Sequence, residues 1–357
     1  MARENKHNWL SRLSFGTISL VASGLLVLAY LSVIIDPAKG WFFTLFGLLY
    51  PVVLPLTLVL WVWALFRRSS MRGLLTLVLL PSLFFAGRYY RVYQREPEQE
   101  ATLKVVSYNV GLFAHGPEGM DRLALADSVS QYLMGLDADI ICLQEFFLPA
   151  GHPLDYWLVR HFPGYKAEFF VRNGQSGHFG NLTLSKRRVT NRGKINFEHS
   201  TNLSLWTDVQ LDNGTVRLYN CHFESYNISI PGLIQNDGAV EETEQKMRRS
   251  IGERPKQVSA VLKDVENAPV RSLVLGDFTD TPLSYTYFRL LRGRKDSFVR
   301  AGKGFGSTYR ILWPLLRIDY ILYPQELEAV SYQVEKVKYS DHYPIIATYY
   351  ETGRDSQ

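Results

Sequence analysis

Residues able to do acid–base and ligand chemistry recur where β-rich runs of this chain end. Asn109 ends KVVSYN, Glu145 ends DIICLQE, His222 ends VRLYNCH and Asp277 ends LVLGD. Asp319 stands inside RIDYILY, and Asp341 and His342 precede the last apolar run. A buried charge without a partner costs several kcal/mol, so carboxylates this close to core strands need a purpose. Strand ends from several segments can meet on one rim. Four carboxylates, two imidazoles and an amide gathered there would make a hydrated, oxygen-rich pocket. Oxygen ligands with few nitrogens and no thiolates favour Mg2+ or Mn2+ over zinc. Singly, each residue has a plainer reading: Gly276-Asp277 as a turn or cap, His222 as a structural imidazole, Asp319 as the partner of Arg317. The case for a site rests on the order of these residues and their flanks.

The elements that must position them are mostly strands. LKVVSYNV, DIICLQEF, GNLTLSK, LWTDVQL, TVRLYNCHF, SLVLGDF, RIDYILY and YPIIATYY are rich in Val, Ile, Tyr and Phe and are bounded by Gly, Pro, Asn or Asp. Residues 120–136 place Leu123, Ala126, Val129 and Leu133 at helical spacing, and a second helix falls within 239–265, with Val258, Val261 and Leu262 on one face. Many strands with few helices predict packed sheets with helices on their outer faces. Cys142 and Cys221 are expected in the core, each on the face opposite its neighbouring site residue. A disulfide between them stays open, because the sequence does not say whether their strands are adjacent.

The N-terminal part is of another kind. Residues 15–35 and 40–66 run 21 and 27 positions without a charge, each enough to cross the ~30 Å of a bilayer's hydrocarbon. Residues 73–87 are a shorter third candidate, flanked by Arg72 and Arg88, which can snorkel, and by Tyr89 and Tyr90, which suit an interface. Pro81 keeps a re-entrant or interfacial hairpin open for that segment, and a cleaved signal peptide is the other reading of the first. Residues 1–100 carry ten Lys/Arg and five Asp/Glu, whereas the remainder carries 29 of each. The basic charge therefore belongs to the N-terminal part and does not mark the rest as a nucleic-acid binder. Charge at 20% is too low for a disordered chain, and two cysteines exclude a disulfide scaffold or a Cys-rich zinc site. The expected organisation is a membrane region at 1–90, a linker at 91–102 and a catalytic domain at 103–352.

SYNV at 107–110, LQE at 143–145, YNCHFES at 219–225, GDFTDTP at 276–282, RIDYIL at 317–322 and SDHYPI at 340–345 follow one another in that order. This series resembles the endonuclease/exonuclease/phosphatase superfamily, whose members include pancreatic deoxyribonuclease, neutral sphingomyelinases and inositol polyphosphate 5-phosphatases. The resemblance covers essentially all of 101–352 and implies a four-layer α/β sandwich. It also implies roles. Glu145 would be the principal Mg2+ (or Mn2+) ligand, with Asn109 beside it and Asp341 completing or supporting the shell. Asp277 would orient and deprotonate the attacking water. His342, held by Asp319, would bind the scissile phosphate, and His222 would face the leaving oxygen. Asn220, Thr279 and His342 would touch substrate. One position departs from the family, which usually has Asn two residues after the catalytic Asp; here it is Thr279, whose hydroxyl has a shorter reach.

The metal site implies phosphoester hydrolysis without fixing the substrate. A lipid bilayer held by the N-terminal helices is one expected partner and a phosphoester, lipid-linked or nucleic acid, the other; the chain is expected to be a monomer. Lys186-Arg187-Arg188, Arg248-Arg249 and Arg292 with Arg294-Lys295 are basic clusters that read either as a nucleic-acid grip or as solvated surface. Residues 305–316 (FGSTYRILWPLL) either meet lipid or pack on the sandwich. A membrane-tethered nuclease and a non-enzymatic binding module remain the alternative functions. Arg3, Lys6 and Arg12 before the first span, and Arg67, Arg68 and Arg72 after the second, place those segments in the cytoplasm. Three spans then put the catalytic domain outside the cytoplasm, in a multi-pass protein of the plasma (inner) membrane. Arg88, Arg91 and Arg95 count against this, and two spans would reverse it.

Overall fold

The computed structural model describes residues 2–352 except 95, 97, 98, 199 and 226–238. Arg95 and part of the expected linker thus lie outside the described residues. The chain begins with α1 (Ala2–Leu31) and α2 (Trp41–Phe66), followed by α3 (Arg72–Leu79) and the single turn α4 (Ser82–Phe85). Two helices, Leu13–Leu31 and Trp41–Phe66, are long and apolar enough to cross a membrane.

The expected third span differs. Pro81 lacks the N–H that would bond the carbonyl of Leu77, so the helix breaks after Leu79 and resumes as α4 and a 3-10 turn at Ala86–Arg88. The segment nevertheless runs back along the first two helices. Tyr30 Oη donates to the Val78 carbonyl (2.9 Å), and Trp61 Nε1 donates to Thr76 Oγ1 (2.8 Å). The first helix also ends four residues earlier than the apolar run, at Leu31. Ser32 Oγ then turns to the carbonyls of Ala29 and, from the α/β domain, Leu283 (2.8 Å). The α1–α2 turn therefore faces the domain, while the start of α1 and the end of α2 point away from it.

After β1 (Tyr90–Arg91) come β2 (Leu103–Asn109), α5 (Arg122–Gly135), β3 (Ile140–Pro149), α6 (Leu154–His161), β4 (Lys166–Gly174), β5 (Gly177–Ser185), β6 (Val189–Asn196), β7 (Leu203–Leu211) and β8 (Gly214–His222). Then follow α7 (Ala239–Asn267), β9 (Arg271–Asp277), α8 (Tyr285–Leu291), β10 (Lys295–Asp296), α9 (Ser297–Ala301), β11 (Gly304–Phe305), β12 (Asp319–Tyr323), β13 (Leu327–Val334) and β14 (Ile345–Glu351). Two six-stranded sheets result, ordered β13-β14-β2-β3-β5-β4 and β10-β12-β9-β8-β7-β6.

Three apolar layers hold them. Val105, Ile140, Leu218, Leu275, Ile321 and Ala347 fill the space between the sheets. Val106, Ile141 and Leu143 bury the outer face of the first sheet under Leu125, Val129 and Leu133 of α5. Tyr219, Val274 and Tyr320 do the same for the second under Val258 and Val261 of α7 and Tyr287 of α8. This is the expected four-layer α/β sandwich. The expected strands are all present, and β4, β6 and β13, with the two-residue β1, β10 and β11, are additional. β6 (VTNRGKIN) is an edge strand with almost no buried side chain, so it lacks the apolar alternation that marks a strand in sequence.

Candidate active site at the rim between the sheets

The inner faces of the sheets change character along their length. In the second sheet, Leu218 pairs with Leu273, two residues further on Asn220 pairs with Leu275 and that with Ile321, and at the strand ends His222, Asp277 and Asp319 stand in register on three neighbouring strands. In the first sheet the same succession runs Val105, Ser107, Asn109. Side chains two apart share a face, so apolar core grades into polar and then ionisable groups toward one edge of the sandwich.

Asn109 crosses the gap between the sheets. Its Nδ2 donates to Glu145 Oε1 (3.1 Å) and to Asp277 Oδ2 (2.9 Å), and its Oδ1 accepts from the Gly111 amide (3.0 Å). Glu145 reaches this point through a bulge. The β3–β5 register shifts between Leu143 and Phe146, and Glu145 takes a left-handed φ of 50°. The extra residue re-aims the side chain onto the rim. The bulge also corrects the expected placement of Cys142, which faces the inter-sheet core and not the opposite side from Glu145. Cys221 faces α7 as alternation predicts, and both thiols are free.

Asp277 is buried, with Oδ1 accepting from the Thr279 amide (2.7 Å). His222 Nε2 and His342 Nε2 each lie 3.8 Å from its Oδ2. Burial pushes the Asp277 carboxyl up to about 6 against the pull of the two imidazoles. His342 Nδ1 is bonded to Asp319 Oδ2 (2.9 Å). Burial disfavours its charged form, but the Asp319 and Asp277 carboxylates prevail and hold it up to about 10, an imidazolium at neutral pH. Asp319 is free for this because Arg317 pairs instead with Asp296. His222 Nε2 is buried without a hydrogen-bond partner, 3.4 Å from Glu145 Oε1.

The remaining expected residues are placed differently. Asp341 is on the rim, but its Oδ1 accepts from Ser340 Oγ (3.2 Å) and lies 3.5 Å from His115 Nε2, outside the Asn109–Glu145–Asp277 bonds. Asn220 shares the face of His222 but lies one residue pair, roughly 6–7 Å, deeper. Its amide donates to the carbonyls of Leu143 and Leu182 and its oxygen accepts from Gln144, so it ties the sheets together below the rim. Thr279 has φ 52°, and its hydroxyl is turned to the Glu224 carbonyl (2.8 Å).

Two residues the sequence reading passed over also belong here. Tyr309 is bridged to His342 with rings 5.3 Å apart, and burial, Asp341 and Asp277 raise its phenol. It stands next to a Thr before RIDY, in a stretch read only for its apolar content. Arg254, buried in α7, donates to the Glu224 carbonyl (2.8 Å) and pairs with Asp280 (3.1 Å). It thereby joins the loops after His222 and Asp277, and nothing in the helical pattern singles it out.

The donor set fits a hard divalent cation. Glu145, His222 and Asp277 offer ligand atoms within 4.8 Å of one another, and the buried His222 Nε2 lacks any bond of its own. The carboxylate oxygens, with no thiolate beside them, are hard ligands that fit a divalent metal ion.

A family model described as the Endonuclease/Exonuclease/phosphatase family matches residues 106–342, and one described as a domain of unknown function (DUF8431) matches residues 11–89. No curated protein matches the chain. Among solved structures, the human Nocturnin catalytic domain is 15% identical with a TM-score of 0.53, over 73% of this chain and 97% of that one. An endonuclease/exonuclease/phosphatase from Bacteroides vulgatus is 17% identical with a TM-score of 0.52, over 70% and 98%. The mannosyl-6-phosphatase of Bacteroides thetaiotaomicron is 16% identical with a TM-score of 0.50, over 70% and 100%. At these identities the likeness is one of fold.

Proposed function

Because the chain belongs to the endonuclease/exonuclease/phosphatase family, we propose that it is a membrane-anchored, Mg2+- or Mn2+-dependent hydrolase of phosphoester bonds. The observation that carries this reading is the arrangement around Asp277: Asn109 binds one of its oxygens together with Glu145, and Asp319 aims His342 at the same oxygen. In this reading Glu145, with Asn109 and Asp341 nearby, holds the cation. When bound, the cation neutralises charge that builds on the phosphoryl oxygens. Asp277 takes the proton of the attacking water, its carboxylate oriented by the Asn109 amide and the Thr279 N–H. His342, an imidazolium fixed by Asp319, presents its Nε2–H to the phosphate, and His222 Nε2 donates to the leaving oxygen. Thr279 contributes through its backbone, since its hydroxyl is bonded to Glu224. Asn220 serves the scaffold.

The same reading divides the chain into a membrane region at 1–90, a linker at 91–102 and a catalytic domain at 103–352. Three apolar segments then cross the membrane, and the domain sits at the end opposite Arg3, Lys6, Arg12, Arg67, Arg68 and Arg72. The Lys/Arg bias keeps those residues cytoplasmic and puts the catalytic domain outside the cytoplasm. Part of the basic surface is already paired. Lys186 binds Asp137, Arg187 binds Asp139, and Lys295 binds Glu328, so these cations are not a free grip.

The test is hydrolysis of bis-p-nitrophenyl phosphate and p-nitrophenyl phosphate by the full chain in detergent, with Mg2+ or Mn2+, beside Glu145→Gln and Asp277→Asn. The expected result is turnover that needs the cation and falls at least 10²-fold in each variant. Turnover that survives either substitution, or chelation, would overturn the reading.

A further inference from the structure

The segment 304–316 has two ends of opposite chemistry. Its inner part belongs to the site: Tyr309 is bridged to His342, and the Arg310 amide and Nε donate to the carbonyls of Asp341 (2.7 Å) and Ser340 (2.9 Å). Its outer part is apolar and uncovered. Phe305 is 47% exposed, Ile311 58%, Leu312 37% and Trp313 41%. β11 pairs with β1, which directly follows the third apolar segment, and Phe305 sits between Tyr90 (4.8 Å) and Trp313 (5.8 Å). The Lys336 ammonium lies 4.1 Å over the Trp313 ring. The aromatic cluster is thus built onto the exit of the helical region, where Leu83 and Phe84 are exposed as well.

We propose that this segment lies in the bilayer interface and that the site acts on a phosphoester carried by a membrane lipid. The proposal rests on the reading of the chain as a membrane-anchored phosphoesterase and adds the substrate class. Aromatic side chains with a polar edge settle at the headgroup level, and an ammonium over a Trp suits the same depth. Packing on the sandwich, the other reading of these residues, would have buried them. From Trp313 to Tyr309 the chain spans four residues, at most about 14 Å. Headgroup layers are roughly 5–8 Å thick on each side of the hydrocarbon. A phosphate at headgroup depth therefore stands within reach of His342 while its acyl chains stay in the bilayer.

Two measurements on the full chain in phosphatidylcholine nanodiscs test this. Leu312→Cys, carrying an environment-sensitive fluorophore, is expected to emit as in an apolar medium and to be quenched by lipid-borne quenchers; the same label at Tyr156→Cys on α6 stays aqueous. Both native thiols are buried, which leaves the label specific. Next, long-chain phosphatidic acid placed in the nanodisc is expected to inhibit bis-p-nitrophenyl phosphate turnover at a tenfold or lower total concentration than soluble dibutyryl phosphatidic acid. That advantage disappears in Ile311→Ser/Trp313→Ser, with turnover itself unchanged. An aqueous label at 312, or equal inhibition by the two lipids, would overturn the proposal. If bis-p-nitrophenyl phosphate is not hydrolysed at all, the phosphoesterase reading fails, while the label still reports on the interface.

Discussion

Thr279 concentrates a conflict between backbone and side chain that one substitution can relieve. A β-branched residue at φ 52° is disfavoured, and the left-handed region costs roughly 1–2 kcal/mol for an ordinary L-residue, less for Asn. Against this, the hydroxyl bond to the Glu224 carbonyl (2.8 Å) is worth about 0.5–1.5 kcal/mol net. Thr279→Asn removes most of the strain and carries an amide that can replace that bond or turn to the phosphate. Stability is therefore expected to be unchanged or to rise by up to about 1 kcal/mol, a Tm gain of at most roughly 2–4 °C. Thr279→Ala removes the hydrogen bond and Thr279→Gly removes the bond and the strain together, so the difference between the two isolates the strain. In rate, a new preorganised donor is worth on the order of 10²–10³ where its geometry is ideal, so a kcat gain of about tenfold or more is expected for Asn alone among the three. Thermal unfolding of the chelated proteins and initial rates on bis-p-nitrophenyl phosphate give both numbers. If Thr279→Asn is less stable than Thr279→Ala and no faster than wild type, the reasoning about this position is refuted.

Two further predictions concern stability. Although burial opposes it, the Asp319 and Asp277 carboxylates hold the His342 imidazolium up to about 10, against 6.5 ordinarily, so its contribution is complete below pH 6.5 and is lost as pH rises through 10; urea unfolding under chelation should show wild type losing stability over that window relative to His342→Asn. Arg254→Leu breaks the buried Arg254–Asp280 pair, at a cost of about 3–5 kcal/mol and roughly 10 °C in Tm, whereas Arg254→Leu/Asp280→Asn should recover part of that loss in the same melts.

What the sequence revealed followed from chemistry that repeats along it. Strands whose apolar alternation ended on Asn109, His222 or Asp277 were visible, because both the pattern and its interruption are local. Glu145 was found by type, but the bulge that delivers it was not, since a left-handed Glu leaves no mark in composition. That same bulge reversed the expected face of Cys142. Asn220 is expected at the substrate from the resemblance; only the register shows it one residue pair deeper than His222, where its amide ties the two sheets together. Arg254 and Tyr309 act across distant segments, and a linear pattern carries no record of the loops they join. The third apolar segment was legible as apolar, yet Pro81 divided it.

The bond from Ser32 Oγ to the Leu283 carbonyl, and the absence of a side chain at Gly47, make the helices more than a tether. A methyl group at Gly47 would stand 2.4 Å from that carbonyl, and Leu283 ends the same loop that begins at Asp277. Any pair of apolar helices would keep the domain at a membrane, but an unrelated pair would leave that loop without its seat. The two halves of the chain are therefore not interchangeable parts: a larger residue at position 47 would press on the main chain of that loop and on Ser32 Oγ, whatever side chain stands at 283.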